Sequence, residues 1–274
     1  MSFSQHEHSG MLYYTADGLS AVGGVRHGFS TRIGGVSGAP WDSLNFDLSC
    51  GDDRENVREN YRRFCVALGV DERDTVLSQQ RHTTNVRRVT REDRGMGLLR
   101  ARDFTGVDAL ITDEAGVALT VFSADCGTVL LYDPVRRAVG ALHAGWRGCA
   151  GGIVARTVEA MRDAYGCRAE NLYAALGPCI GQCCFETDSD VPDAMRAALG
   201  DAADSYIAPR GAKYHVDLQG LNRLWLLRAG LAPERIDTIP LCTRCHPELF
   251  WSHRRVGRAR GSMISMIALG EANA

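Results

Sequence analysis

The stretch that decides the fold is ALTVFSADCGTVLLYDPVRRAVGALHAGWRGCA, residues 118–150. It contains three apolar runs of strand length, residues 118–123, 128–132 and 138–143, separated only by short turns. The third run leads into a glycine-rich turn and a helix predicted over residues 148–165. Strands that follow one another directly favour mixed sheets over a purely parallel βαβ array.

Further regular elements are predicted on both sides of this stretch. Helices are predicted over residues 52–70, 191–199 and 218–229. Strands are predicted over residues 25–30, 75–79, 86–89, 109–112, 172–176, 214–216, 236–239 and 263–268. The sequence therefore predicts a mixed α/β (α+β) fold, in which layered mixed β-sheets are flanked by helices.

The composition limits the class of protein. A hydrophobic fraction of 45% and a charged fraction of 23% are ordinary for a globular domain. The net charge of 31 − 33 = −2 gives no general attraction to nucleic acid or to an anionic membrane. Residues 1–8 lack the basic start and apolar core of a signal peptide, and no apolar run reaches about 18 residues. We therefore expect a soluble cytoplasmic protein that binds neither nucleic acid nor membrane.

One catalytic domain is predicted over residues 21–274, preceded by a poorly ordered terminus, residues 1–20, that begins with a polar run. The ten cysteines show no repeating framework, so we expect reduced thiols, most of them buried as small apolar residues. Cys242 and Cys245 form a Cys-x-x-Cys motif, which without a second such motif is not expected to hold structural zinc. The thiols within residues 179–184 have no evident histidine partner.

Three short motifs contain the residues that could carry chemistry: Gln80-Arg81-His82, Ser123-Ala124-Asp125-Cys126-Gly127 and His143-Ala144-Gly145-Trp146-Arg147-Gly148. Cys126 and His143 each stand at the end of a predicted strand, where a rigid scaffold meets a free loop. Their separation suits strand, turn and strand, so the two side chains could be neighbours. Either residue alone would more often be an ordinary core residue, and spacing does not place His82.

One cysteine and two histidines form a ligand set suited to zinc. Three protein ligands leave a tetrahedral position open, which is typical of a catalytic site, and an open position can activate water. The same residues also suit a Cys–His dyad, in which His143 lowers the thiol pKa of Cys126. The residues leave both possibilities open. Arg32 and Arg147 stand among glycines, and Arg254 lies near the carboxyl terminus, so these arginines are candidates for a phosphate group.

Ordered motifs along the chain resemble those of the YfiH-like, laccase-domain family, also called polyphenol oxidase or multicopper-oxidase-like. They are His27-Gly28-Phe29-Ser30-Thr31-Arg32, Ser43-Leu44-Asn45, Gln80-x-His82, Asp108-Ala109-Leu110-Ile111-Thr112, Ala124-Asp125-Cys126, His143 to Gly148, Gly177-Pro178-Cys179-Ile180-Gly181, Cys242-Thr243 and Arg254-Arg255. The match runs from about His27 to Leu269.

The resemblance implies a fold with sheets packed between helices, similar to toxin-type cysteine hydrolases. It implies that His82, Cys126 and His143 bind a metal, usually zinc, with copper possible. It also implies phosphorolysis of adenosine, inosine, guanosine and methylthioadenosine, and deamination of adenosine, so that a purine nucleoside and phosphate are the expected ligands. Asn45 joins the arginines as a candidate substrate residue. Thr83 and Thr128 depart from the family's usual residues, which leaves substrate preference less defined than the metal ligands.

Two other functions use the same residues. A copper-dependent phenol oxidase is one, although the eight histidines include only one His-x-His, His6-Glu7-His8, so a single copper ion fits better than a multicopper cluster. The other is an amidohydrolase acting on peptidoglycan precursors, with Cys126 as nucleophile and His143 as base.

Overall fold

The computed structural model describes residues 3–270. The strands are β1 Phe3–His8, β2 Met11–Ala16, β3 Val25–Ser30, β4 Thr75–Leu77, β5 Val86–Arg88, β6 Ala109–Thr112, β7 Ala118–Ser123, β8 Gly127–Asp133, β9 Ala138–Ala144, β10 Tyr173–Leu176, β11 Glu186–Thr187, β12 Ile207–Arg210, β13 Lys213–Val216, β14 Ile236–Thr238 and β15 Met263–Leu269. The helices are α1 Asp17–Val22, α2 Arg54–Leu68, α3 Trp146–Ala150, α4 Ile153–Tyr165, α5 Asp190–Leu199, α6 Leu218–Arg228 and α7 His253–Val256. Among the described residues, no helix is both long and apolar enough to cross a membrane.

Two six-stranded mixed sheets form the centre of the fold. Their strand orders are β1-β2-β3-β15-β7-β4 and β14-β10-β8-β9-β6-β5, and a small third sheet has the order β11-β13-β12. Most neighbouring strands are antiparallel, whereas β4 with β7, β5 with β6 and β10 with β14 are parallel. The predicted mixed α/β class with layered mixed sheets and flanking helices is therefore confirmed.

Alternating side chains of β8 show how the layers are built. Leu130 belongs to the core that the two large sheets share, together with Val121 of β7 and Ile267 of β15. Val129 and Leu131 face the other way, against the helix layer of α4 and α6. Because both faces of β8 are buried, its sequence is a continuous apolar run rather than an alternating one.

The far side of the first sheet is covered by α2. Its Tyr61, Phe64 and Leu68 are buried against the β15 residues Ile264 and Met266. The predicted helix over residues 52–70 agrees with α2, which Asp53 caps by accepting the backbone N–H of Glu55. The order of layers is thus helix, sheet, sheet, helix.

The prediction of a poorly ordered amino terminus was wrong for residues 3–20. β1 and β2 form an antiparallel hairpin joined at Ser9 and Gly10, both with left-handed backbone. Tyr13 and Tyr14 of β2 then pair with β3 and attach the hairpin to the first sheet. Polar residues occur here because β1 is the edge strand of the sheet and most of its side chains are exposed to solvent. Residues 1–2 of the prediction lie outside the described residues.

The helix predicted over residues 148–165 is two helices, α3 and α4. The chain breaks at Gly151 and Gly152, and Gly152 has a left-handed φ of 75°. α3 begins at Trp146, so only Gly145 separates it from β9, which ends at Ala144. The residues between His143 and α3 therefore lie at the edge of the second sheet, where the candidate site is found.

Candidate metal centre

Cys126 and His143 lie at the ends of two paired strands. β8 begins at Gly127 and β9 ends at Ala144, and these two residues are partners in an antiparallel register. The expected proximity of Cys126 and His143 follows from this pairing, because Cys126 adjoins Gly127 and His143 adjoins Ala144 in the chain. Both strands are fully buried, so the scaffold that carries the two side chains is rigid.

His82 approaches the same point from the loop after β4. Its Nε2 lies 3.8 Å from Cys126 Sγ, and its ring meets the ring of His143 edge to face at a centroid distance of 5.0 Å. One potential ligand atom from each of the three side chains lies within 4.8 Å of the other two. His82 is exposed and His143 is buried. This set, called the triad below, is therefore open to solvent on the His82 side.

Asp108 fixes both histidines of the triad. Its Oδ1 lies 2.9 Å from His143 Nδ1 and accepts the backbone N–H of His82 at 3.0 Å. Its Oδ2 accepts the backbone N–H groups of Arg81 and Thr83, each at 2.9 Å. Asp108 is fully buried and immediately precedes β6. The Nδ1 contact leaves Nε2 of His143 for the triad, which is how a carboxylate orients a metal-ligating histidine.

Two residues of the site have left-handed backbone, His82 at φ 58° and Asp125 at φ 92°. This conformation is unfavourable for side chains larger than glycine and persists where surrounding contacts enforce it. The carboxylate of Asp108 holds the His82 backbone. Asp125 is held from outside its own loop, since its two carboxylate oxygens accept the Thr243 hydroxyl and the Arg254 backbone N–H, each at 2.6 Å.

The charges of the triad are coupled. Burial raises the pKa of the Cys126 thiol, but the His143 and His82 imidazoles outweigh burial and lower this pKa to about 6. Burial lowers the pKa of His143, but the Cys126 thiolate and the Asp108 carboxylate outweigh it and raise this pKa to about 9. Near neutral pH and without a metal, the pair is therefore a thiolate and an imidazolium. Burial without such a partner instead raises the pKa of Cys149 far above its ordinary value.

In metal-free protein, we expect the rate of Cys126 alkylation by iodoacetamide to rise as pH passes about 6 and to level off above it, because the thiolate is the nucleophile. His143→Gln removes the imidazolium and should move the midpoint toward the ordinary cysteine pKa of about 8.5. Quantitative mass spectrometry of the Cys126 peptide measures both profiles. A wild-type midpoint at the ordinary value would contradict the assigned ion pair.

Two cavities meet at the triad. The larger, of about 600 Å³, is lined by all three triad residues and by four arginines, Arg54, Arg81, Arg102 and Arg260. The smaller, of about 270 Å³, is lined by His82, Cys126 and a mostly apolar wall, which comprises Trp146, Ile180, Phe185 and Leu218. Arg260 lines both cavities, and its Nε is buried without a hydrogen-bond partner among the described residues. A cationic space and an apolar space thus adjoin at Cys126.

Of the predicted substrate residues, Arg254 lies at the triad and Arg32 does not. Arg254 lines the smaller cavity, and its Nη1 donates to the Glu186 carbonyl at 2.8 Å. Arg32 lines neither cavity. Its Nη2 donates to the Asp42 carbonyl at 2.7 Å, and its guanidinium lies over the Trp251 ring at 3.7 Å. Its contacts tie loops together rather than face the triad.

Asn45 and Arg147 also lie outside both cavities. Asn45 is fully buried, where its Nδ2 donates to Asp52 at 2.8 Å and its Oδ1 accepts the backbone N–H of Ser262 at 3.0 Å. Arg147 is exposed and lies over its neighbour Trp146. These positions argue against direct contact between either residue and a substrate at the triad.

Sequence reasoning did not assign a role to three residues that the structure brings to the site. Arg81 and Asp108 belong to motifs quoted from the sequence, but no function of its own was assigned to either residue. A carboxylate immediately before a buried strand was the available signal for Asp108. Arg260 had no such signal, because it reaches the triad only through the folding of the carboxyl-terminal segment.

Comparison with known proteins gives matches along almost the whole chain. The family model described as multi-copper polyphenol oxidoreductase laccase matches residues 26–270. Purine nucleoside phosphorylase YlmD of Geobacillus stearothermophilus is 38% identical over 259 residues, covering 93% of this chain and 93% of that protein. Adenosine deaminase RL5, from an unknown prokaryotic organism, is 34% identical and covers 92% of this chain and 96% of its own. The crystal structure of Bacillus licheniformis hypothetical protein YfiH has a TM-score of 0.90 at 34% identity, covering 96% of this chain and 98% of that chain.

Proposed function

The chain belongs to the multi-copper polyphenol oxidoreductase laccase family, and on that premise we propose that it is a zinc-dependent purine nucleoside phosphorylase. The observation that carries the proposal is the junction of an arginine-lined cavity with an apolar cavity at Cys126. A nucleoside and phosphate need these two environments side by side, because the base is flat and apolar while phosphate is a dianion. Adenosine, inosine, guanosine and methylthioadenosine are the proposed substrates.

The larger cavity supplies the proposed phosphate site. Arg81, Arg102 and Arg260 bring positive charge to the triad, and Arg260 Nε is an N–H donor without a protein partner. Burial lowers the pKa of Arg102, yet a guanidinium remains protonated at any physiological pH. Guanidinium groups bind phosphate oxygens through paired, charge-assisted hydrogen bonds. These arginines replace Arg32 and Arg147 as the proposed anion ligands.

The smaller cavity supplies the proposed base site. Trp146 and Phe185 offer aromatic faces, and Ile180 and Leu218 complete an apolar surface. Planar rings stack on such faces with a gain beyond simple burial. A purine placed there and a phosphate placed beside Arg260 would have the ribose between them, next to Cys126.

The triad residues fit a metal ion. The thiol pKa of Cys126 is already low, Asp108 occupies Nδ1 of His143, and the three ligand atoms are close together. A zinc ion held by His82, Cys126 and His143 supplies one open coordination position and Lewis-acid chemistry. His82 is a proposed ligand, and Asp125 immediately precedes the proposed ligand Cys126. A role in metal binding would account for the left-handed backbone at both residues.

The proposed reaction exchanges one bond for another at the ribose. A phosphate oxygen bonds to C1′ while the bond from C1′ to the purine nitrogen breaks. The departing base keeps the electron pair and takes up the proton that hydrogen phosphate gives up. Arg81 and Arg260 hold the phosphate beneath the sugar, and the aromatic wall orients the base. Positioning of this kind can account for a large part of a rate enhancement. Deamination of adenosine is proposed as a second activity, supported by the relative named adenosine deaminase RL5.

A metal-free cysteine hydrolase is the second candidate, because the Cys126–His143–Asp108 arrangement also has the form of a catalytic triad. Copper-dependent phenol oxidation rests on the family description alone. Residues 3–270 contain only two groups of three or more potential histidine, cysteine or carboxylate ligands, and one of them consists of cysteines alone. A multicopper cluster of histidines is not among them.

Inosine and phosphate test the proposal. Zinc-loaded protein is expected to form hypoxanthine and ribose 1-phosphate in equal amounts, to form neither without phosphate, and to lose activity on chelation. Arg260→Met should raise the KM for phosphate by on the order of tenfold, with a smaller effect on the KM for inosine, because a charge-assisted hydrogen bond is lost. Arg58→Met, on the exposed side of α2, is the matched control. Release of free ribose, or activity that survives chelation but not alkylation, would exclude phosphorolysis by a metal site.

A further inference from the structure

Four cysteines outside the triad come together from two separate loops. Cys183 and Cys184 lie between β10 and β11, and Cys242 and Cys245 follow β14. The sulfurs of Cys183 and Cys184 are 3.6 Å and 3.4 Å from the sulfur of Cys245, and all four sulfurs lie within 4.8 Å of one another. The single Cys-x-x-Cys motif, which was expected to have no partner motif, therefore meets a Cys-Cys pair. These residues are called the four-cysteine cluster below.

Backbone hydrogen bonds hold the two cysteine-containing loops together. Cys179 and Cys242 form an isolated parallel β-bridge, and the N–H of Thr243 donates to the Cys179 carbonyl at 3.0 Å. The N–H of His246 donates to the Cys242 carbonyl at 3.2 Å, which closes a tight turn around the Cys-x-x-Cys motif. The N–H of Cys184 likewise donates to the Gly181 carbonyl at 2.9 Å. Both loops thus direct their thiols to one point.

The spacing of the sulfurs suits a metal ion better than other arrangements. Four sulfurs at about 2.3 Å from a tetrahedral zinc ion lie about 3.8 Å from one another, close to the observed separations. A disulfide joins only two sulfurs and would leave half of the cluster unexplained. Hydrophobic packing accounts for Cys184 and Cys242, which lie against a core cluster, but not for Cys183 and Cys245, which are exposed.

Two arginines lie where they can balance the charge of such a centre. Four thiolates around a divalent cation carry two net negative charges. Arg244 Nη1 lies 3.5 Å from Cys184 Sγ, and Arg254 Nη1 lies 3.4 Å from the Cys184 carbonyl oxygen. Cationic groups beside thiolates favour their deprotonated form.

We propose that Cys183, Cys184, Cys242 and Cys245 bind a structural zinc ion, distinct from the ion proposed for the triad. Four protein ligands close the coordination sphere, which is the mark of a structural site. The four thiols release their protons as zinc binds, and no oxidation or reduction takes place. Tetrahedral thiolate coordination suits zinc, whereas magnesium, calcium and manganese take carboxylate, carbonyl and water oxygens.

The zinc ion would position one wall of the active site. Thr243, inside the Cys-x-x-Cys motif, donates to the Asp125 carboxylate beside Cys126, and the N–H of Ile180 donates to the Asp125 carbonyl at 2.8 Å. Ile180 and Phe185, which flank the Cys-Cys pair, line the apolar cavity. Joining the two loops through zinc would therefore fix both the Cys126 turn and the proposed base site.

Zinc content and zinc-edge X-ray absorption of the full-length protein test this proposal. In the Cys126→Ala variant, whose triad has lost its thiolate, we expect about one tightly held zinc ion per chain with sulfur-only coordination at about 2.3 Å. Cys242→Ser should lower the zinc content of wild-type protein by about one ion, whereas Cys50→Ser, a partly exposed cysteine outside both groups, should not change it.

Three results would overturn the proposal. They are a Cys126→Ala protein without tightly held zinc, a coordination sphere in that variant that contains nitrogen or oxygen, and a disulfide within the cluster of freshly purified protein. The measurement on Cys126→Ala does not require the cluster variants to fold. It is also independent of activity, so a failure of the proposed phosphorolysis leaves it unaffected.

Discussion

Asp108→Asn is expected to lower the zinc affinity of the triad by about 10- to 100-fold and to reduce kcat for inosine phosphorolysis together with it. The carboxylate accepts hydrogen bonds from three consecutive backbone N–H groups and contacts His143 Nδ1. Both oxygens of Asp108 accept backbone N–H groups, but the asparagine amide has only one acceptor oxygen. Its NH₂ group would therefore face a backbone N–H group that the carboxylate now accepts. The His82 loop and the His143 ring would then lose their shared support.

The electrostatic effect of this substitution acts in the same direction. The Asp108 carboxylate has a pKa of about 2, because the His143 contact and the backbone N–H groups outweigh the effect of burial. It is therefore fully charged at neutral pH and raises the basicity of His143. Removing the charge weakens His143 as a ligand even if its ring does not move.

Asp133→Asn is the matched control for Asp108→Asn. Asp133 is also fully buried, and its Oδ1 accepts the backbone N–H groups of Val135 and Arg136 at 2.8 Å and 3.0 Å. It lies at the far end of β8 from Cys126. Both variants should lose stability, but only Asp108→Asn should weaken zinc binding at the triad. Equal zinc affinity in the two variants, measured by competition with a chelating dye, would show that Asp108 has only a structural role.

Gly145→Ala is expected to reduce zinc binding at the triad and kcat by on the order of 100-fold, the loss that a misplacement of about 1 Å can cause in a catalytic site. A Cβ at this position would lie 2.9 Å from Cys126 Sγ and 3.0 Å from His82 Cδ2. Both distances are shorter than the ordinary van der Waals separation of a Cβ atom from its neighbours. Neither Cys126 nor His82 has a long, flexible side chain that could move aside easily. The methyl group would therefore push apart the side chains proposed to share the ion.

The effect of Gly145→Ala should appear in activity rather than in stability. Gly145 has φ −64° and ψ 169°, which alanine adopts without strain. Gly148→Ala is the control, because its Cβ would meet nothing closer than 3.4 Å. Near-wild-type melting temperatures for both variants, with activity lost only in Gly145→Ala, would support the account. Full activity of Gly145→Ala would show that the triad is not as closely packed as the structure indicates.

Local signals allowed much of the fold to be predicted. β6 and β7 have the predicted bounds, β8 is longer than predicted by one residue at each end, and β9 is longer by one residue at its carboxyl end. Continuous apolar runs between turns leave little choice of bounds. The N-terminal hairpin was missed because its first strand, β1, is the edge strand of the sheet and is mostly polar. The break between α3 and α4 was missed because apolar periodicity resumes after Gly152.

Only the part of the candidate site that is formed by adjacent strands could be predicted from the sequence. Cys126 immediately precedes β8 and His143 lies near the end of its partner strand β9, so the order of the strands made their proximity predictable. His82 was placed with them by family resemblance, because no spacing rule links it to β8. The four-cysteine cluster and Arg260 depend on contacts between segments far apart in the chain. Such contacts arise from the packing of loops, for which periodicity gives no signal.

Anomalous diffraction at the zinc edge, from crystals soaked with inosine in the absence of phosphate, tests the central claim most directly. We expect a zinc peak bounded by His82, Cys126 and His143, with the purine against Trp146 and Phe185 and the ribose between the purine and Arg260. Inosine bound elsewhere, or no zinc at the triad in zinc-loaded protein, would contradict the proposal that this site binds a metal ion and a purine nucleoside together.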